Sequence, residues 1–205
     1  MVIFPLTMIE NTFTFRRADR EMYRAGKLFP KWKQKYGPTM LFRAIKPDSR
    51  QVPPYGFGEL MVGMHYLDMG FEVFWTDDGT DPRWWPKAEA DPGYLKTLAV
   101  LGEDATRFVC RSHPQPPDLI VFDRRNRFFL VEVKLPGDRL TDGQKQFFPN
   151  IERYLARMLP KAKRSQHLPR GHWFELMRLR VEKRIGSQNA QELFDGDLPL
   201  FENVS

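Results

Sequence analysis

Three residues could do chemistry together: Asp118, Glu132 and Lys134. Asp118 follows Pro117 at the mouth of an apolar run, Leu119-Ile-Val-Phe122. A second run, Phe128-Phe-Leu-Val-Glu-Val-Lys134, follows after a polar turn at 123–126. In an extended strand side chains alternate faces, so Glu132 and Lys134 share one face while Val131 and Val133 take the other. A carboxylate inside so apolar a strand is costly unless something compensates it. A divalent cation held by Asp118 and Glu132 would compensate it, with the backbone carbonyl of Val133 as a third oxygen. Hard oxygen ligands select Mg²⁺ or Mn²⁺ rather than zinc. Such a metal suits phosphodiester hydrolysis, with Lys134 orienting water and offsetting negative charge. The bare Pro-Asp…Glu-x-Lys pattern is nevertheless short. It fits equally well a strand-surface Glu–Lys pair with a capping Asp nearby.

The elements that must position these residues follow from periodicity. The two apolar runs predict a β-hairpin over 119–134. Residues 57–69 carry apolar side chains at helical spacing and end at Gly70, a natural helix stop. Residues 71–75 predict a strand, and Asp77, Asp78 and Asp81 read as turn residues. Residues 76–104 read as an insertion between strands, with a helix at 94–101. Residues 105–111 predict a further strand, ended by the prolines at 114, 116 and 117. Residues 142–158 are helical in pattern, with Pro149 at a kink or dividing two short helices. Residues 173–181 predict a late strand.

The flanking sequence adds a resemblance. Pro116-Pro-Asp-Leu-Ile-Val-Phe-Asp123, then Phe129-Leu-Val-Glu-Val-Lys-Leu-Pro-Gly-Asp-Arg-Leu-Thr-Asp-Gly-Gln144, resembles the virus-type replication-repair nuclease (VRR-NUC) family of the PD-(D/E)xK superfamily. The distinctive part is Pro136-Gly-Asp-Arg-Leu-Thr-x-x-Gln144. The resemblance spans roughly 56–180, with its specific motifs confined to 117–147. It implies an α/β restriction-endonuclease-like core, a central mixed sheet flanked by helices. It also implies metal-dependent DNA endonuclease activity, selective for branched, junction or flap DNA, in a replication, repair, recombination or phage setting. Holliday junctions are among such substrates. Asp118 and Glu132 become metal ligands, Lys134 the catalytic lysine, and Gln144 the family's glutamine. Glu59, beginning the first core helix, becomes the upstream acid and a further ligand. Thr141-x-x-Gln144 is also a capping box, and Glu59 would suit a helix start without any catalysis. The chain departs from the family at Gln115 and Leu135, where glycine is common; neither change removes a ligand.

The chain has 205 residues, 41% apolar and 14% aromatic, which is enough for one folded domain with a real core. Three segments are expected: a basic N-terminal extension (1–50), a nuclease domain (51–185) and an acidic, flexible tail (186–205). The net charge of +6 favours a polyanionic partner. In the first segment Arg16, Arg17, Arg20, Arg24, Lys31 and Lys33 interleave with aromatics. These form either a solvated face with rings packed inward or an arm that grips phosphates and stacks bases. Arg107, Arg111 and Arg139 flank the site and could also touch DNA. Cys110 is the single cysteine, which excludes an internal disulfide and a four-cysteine zinc or iron–sulfur site. His65, His113, His167 and His172 lack metal-ligand spacing. No signal peptide or membrane-length apolar run is visible, so a cytoplasmic, nucleoid-associated protein without membrane contact is expected. Asp197-Leu-Pro-Leu-Phe201 resembles a sliding-clamp docking motif. A homodimer, a monomer held on DNA by its basic arm, an RNA-directed nuclease and a non-catalytic DNA-binding protein remain alternatives.

Overall fold

A computed structural model describes residues 8–37, 39, 56–76, 92–111, 116–169 and 171–182. The clamp-like segment 197–201, His113 and the turn residues Asp77, Asp78 and Asp81 lie outside them, as does the side chain of Arg111. The elements in chain order are β1 (Ile9–Phe15), α1 (Arg17–Arg24), α2 (Leu28–Tyr36), α3 (Phe57–Asp68), β2 (Glu72–Trp75), α4 (Pro92–Leu101), α5 (Glu103–Arg111), β3 (Leu119–Phe122), β4 (Phe128–Lys134), α6 (Asp142–Met158) and β5 (Phe174–Val181).

The strands form one sheet in the order β1-β5-β4-β3-β2. The predicted hairpin is present, with Leu119 opposite Val131 and Phe122 opposite Phe128 in antiparallel register. Its turn is set by Asp123, whose carboxylate accepts the N–H groups of Arg125 (2.8 Å) and Arg127 (3.0 Å). Strand β2 extends the antiparallel half. On the other side β4, β5 and β1 run parallel, and α6 makes the long crossover that parallel strands require.

Both sheet faces are buried, which explains the near-continuous apolar runs. Alternation along β4 divides them. Phe129, Val131 and Val133 join a core with α1, α2 and α3. Phe128 and Leu130 join a second core with α4, α5 and α6. Glu132 and Lys134 therefore face the α6 side. The architecture is the restriction-endonuclease-like α/β core that the sequence predicts.

Three expectations change. Residues 103–111 form a helix, not a strand. Ala105 and Val109 are buried one turn apart, as are Thr106 and Cys110, and Arg107 reaches back to Glu103 at 2.6 Å. The β-branched and aromatic residues that suggested a strand are the buried stripe of this helix. The stretch read as an insertion packs, from Pro92 onward, as helices of the second core. The N-terminal segment supplies a strand of the sheet rather than an appendage. Phe15, Tyr23, Leu28, Phe29 and Trp32 are all buried in the first core, so these rings are not available to stack on bases. Pro30 sits in the first turn of α2, where a missing N–H is tolerated. Helix α6 runs through Pro149 without a break. Among the described residues no helix is long and apolar enough to cross a membrane.

Candidate active site

The carboxylates meet where β3 begins and β4 ends. The antiparallel ladder stops at Leu119 opposite Val131, leaving the N–H of Val133 beyond its reach. That N–H donates instead to Asp118 Oδ2 at 2.6 Å. The aspartate thus finishes the sheet with its side chain, and this fixes it beside Glu132. Thr76 anchors the same corner from β2. Its backbone N–H donates to the Asp118 carbonyl at 2.9 Å, and its buried hydroxyl donates to the Pro117 carbonyl. Thr76 is a positioning residue that the sequence reading missed. A threonine after a short strand carries no signal until its partner is known.

Glu132 is buried almost completely, at 1% exposure. Its Oε1 accepts from Lys134 Nζ at 2.6 Å and from Gln144 Nε2 at 2.5 Å. Gln144 closes the capping box of α6 and reaches Glu132 at the same time. Its Oε1 accepts the Thr141 N–H at 3.1 Å, and Thr141 Oγ1 accepts the Gln144 N–H at 3.1 Å. With its oxygen spent on the cap, the amide can present only its NH₂ to Glu132. The second oxygen of Glu132, Oε2, is buried with no hydrogen-bond partner among the described residues.

Glu59 stands in the first turn of α3. That turn lies close against β4 because residue 58 is glycine: a Cβ there would meet Val133 Cγ1 at 3.1 Å. Burial first, then the charges of Glu132 and Glu59, pushes the Asp118 carboxyl well above the usual carboxylate range; the Val133 N–H and Lys134 offset this only in part. Burial likewise raises Glu132, against the pull of Lys134 and Gln144.

Among the described residues no three His, Cys, Asp or Glu side chains are gathered into a metal cage. Asp118 and Glu132 therefore form the available pair, and Glu59 acts on it electrostatically. The donor set still suits a hard divalent cation. It offers two carboxylates of like charge, Asp118 half-buried and Glu132 buried, the latter with an oxygen lacking a partner among the described residues. An unsatisfied buried oxygen of this kind is expensive, and a cation would satisfy it.

The cations proposed for DNA fall into separate groups. Arg16 and Arg17 are paired with Asp19 (2.7 Å) and Glu21 (3.1 Å). Arg20, Arg24 and Lys31 have no ion pair among the described residues, and Lys33 lies over the Phe29 ring at 5.7 Å. Arg107 is tied to Glu103. Arg139 is exposed in the loop between β4 and α6, next to the site. His65 and His167 pack against Phe13 and Phe129 and both flank the Tyr66 ring, while His172 lies beside Glu152.

Residues 91–158 match the model of the VRR-NUC domain. The match takes in Asp118, Glu132, Lys134 and Gln144; Glu59, β1 and β5 lie outside it. None of the curated proteins compared with the chain matches it.

Proposed function

We propose that this chain, whose residues 91–158 match the VRR-NUC domain, is a divalent-metal-dependent DNA endonuclease of the PD-(D/E)xK type, selective for branched, junction or flap DNA. One observation carries the reading. Glu132 is buried, beside Asp118 and Lys134, with a carboxylate oxygen that no group among the described residues satisfies. A fold gains nothing in stability from such an arrangement, whereas a cation site needs it.

Asp118 and Glu132, with the Val133 carbonyl, would hold Mg²⁺ or Mn²⁺, and Glu59 adds negative charge nearby. Bound there, the ion would polarise a phosphoryl oxygen and acidify a water. The protein's own groups do the rest. Gln144 and Lys134 both hold Oε1 of Glu132, so the carboxylate is oriented in advance. Lys134 keeps an ammonium donor where negative charge builds on the phosphate, in a site screened little by water. The Val133 N–H keeps Asp118 from swinging away.

The test is cleavage of flap, junction, single-stranded and duplex DNA in Mg²⁺ or Mn²⁺, beside Asp118→Ala and Lys134→Ala. Wild type should cut a branched substrate, and each variant should lose at least about 100-fold in rate. A wild type that cuts none of them, with variants that bind DNA as tightly, would reject the enzyme in favour of a DNA-binding protein. Cleavage of RNA in preference to every DNA would reject the substrate class.

A further inference from the structure

The sheet face that carries Glu132 and Lys134 does not end at β4. Lys134 stands opposite Arg178 of β5, which in turn stands opposite Thr12 of β1. Neighbouring strands lie about 4.8 Å apart, and residues two apart share a face. Arg178, Arg180, Thr12 and Thr14 therefore continue the face of the catalytic lysine toward the sheet edge. Helix α6 covers this face over β4, but Thr12, Thr14 and Arg180 are exposed. A groove of about 530 Å³ opens there, lined by Gly137, Asp138, Arg139, Leu140, Lys145 and Arg178.

Its lining carries three cations, Arg139, Lys145 and Arg178, and one acid, Asp138, whose Oδ2 already accepts the Leu135 N–H at 3.2 Å. Lys145 is paired with Asp142 at 2.8 Å. Glu10 holds the Arg178 guanidinium at 2.6 Å, which leaves its other nitrogens to donate. Arg139 and Arg180 have no ion pair among the described residues. Two arginines without an ion pair, Arg139 and Arg180, together with the remaining nitrogens of Arg178, suit one ligand chemistry beside a phosphodiester site, the phosphates of the same nucleic-acid strand. The free cations Arg24 and Lys31 belong to helices on the opposite sheet face and do not continue this row.

Resting on the nuclease reading, we infer that Arg139, Arg178 and Arg180 form a phosphate track that carries the DNA backbone from the Asp118–Glu132 centre across β5 toward β1. The track fixes where the strand lies, not which base is read.

The experiment measures binding of a fluorescent duplex oligonucleotide across a salt series, in EDTA, by anisotropy. It compares wild type with R139A/R180A and with the charge-matched control R153A/R157A, which lies further along α6. Equal melting temperatures establish that all three are folded. The logarithmic salt dependence should flatten by about 0.9 per phosphate contact, hence by about 2 for R139A/R180A. The control should match wild type. An unchanged slope for R139A/R180A, or an equal loss in the control, overturns the track, as would a wild type that does not bind. Cleavage by wild type in Mg²⁺ is scored separately. An inactive wild type removes the nuclease reading, and an active one with unchanged slopes removes the track alone.

Discussion

At the scale of single residues, the site is organised against its own stability. Asp118 is held by one backbone N–H and faces the charges of Glu132 and Glu59, with burial adding the largest penalty. Its folded-state carboxyl is therefore raised above its unfolded value of about 4. The sign follows directly. A raised carboxyl contributes stability that is fully present below the unfolded value and is lost as pH rises through the folded one. Near pH 8 and without metal, an ionised Asp118 costs the fold. Asp118→Asn keeps an acceptor for the Val133 N–H and removes the charge. In EDTA at pH 8 it should be more stable than wild type by about 1–2 kcal/mol, a rise of roughly 2–8 °C in melting temperature. The difference should shrink toward pH 4. Mg²⁺ should raise the wild-type melting temperature and leave the variant's unchanged. A variant that melts below wild type in EDTA would show that Asp118 serves the fold rather than a cation. That Glu132 and Lys134 share a face was legible in sequence because strand alternation sets it. Thr76 was not, since its value lies in the carbonyls of Pro117 and Asp118, more than forty positions away in sequence.

At the scale of elements, α3 must bring Glu59 to the end of β4, and two glycines govern how closely it can do so. Gly56 precedes the helix at φ +87°, and a Cβ there would stand 2.3 Å from the Trp75 ring. Gly56→Ala therefore meets both left-handed strain and overpacking, together about 2–4 kcal/mol. Urea denaturation should show that loss. Adding Trp75→Phe should recover the steric part only, because the backbone strain persists. A Gly56→Ala protein as stable as wild type would mean that the approach of α3 to β2 is not set here. Helix α3 was readable because its apolar spacing and Gly70 agree. Helix α5 was not, because Thr106, Phe108 and Cys110 alternate like a strand. Its acidic first turn, Glu103 and Asp104 after Gly102, was the contrary signal. Local propensity lost to helical packing of Ala105 and Val109 against the second core.

At the scale of the molecule, the role of the N-terminal segment separates what sequence can show from what it cannot. Its density of Arg and Lys suggested an arm for DNA, and nothing local reveals that Ile9–Phe15 pairs with Phe174–Val181, the last strand of the sheet. That pairing is long-range, and it leaves Glu10, Asn11, Thr12 and Thr14 exposed, so no buried alternation announces it. Burial shows its importance. Phe15 and Tyr23 are 3% and 1% exposed, each contributing about 1.5–3 kcal/mol. Asn11 also donates to the buried carboxylate of Glu175, which Tyr66 holds from the other side at 2.6 Å. Removing these contacts costs several kcal/mol, against a total stability of about 5–15 kcal/mol for a domain. Deleting residues 1–26 should therefore abolish cooperative thermal unfolding and the near-ultraviolet circular dichroism of packed aromatics. The charge-neutralised variant R20A/R24A/K31A should keep both, because those cations have no ion pair among the described residues. If the deleted chain still melts cooperatively, β1 and α1 are an appendage after all, and the basic arm regains its standing as a DNA-binding device.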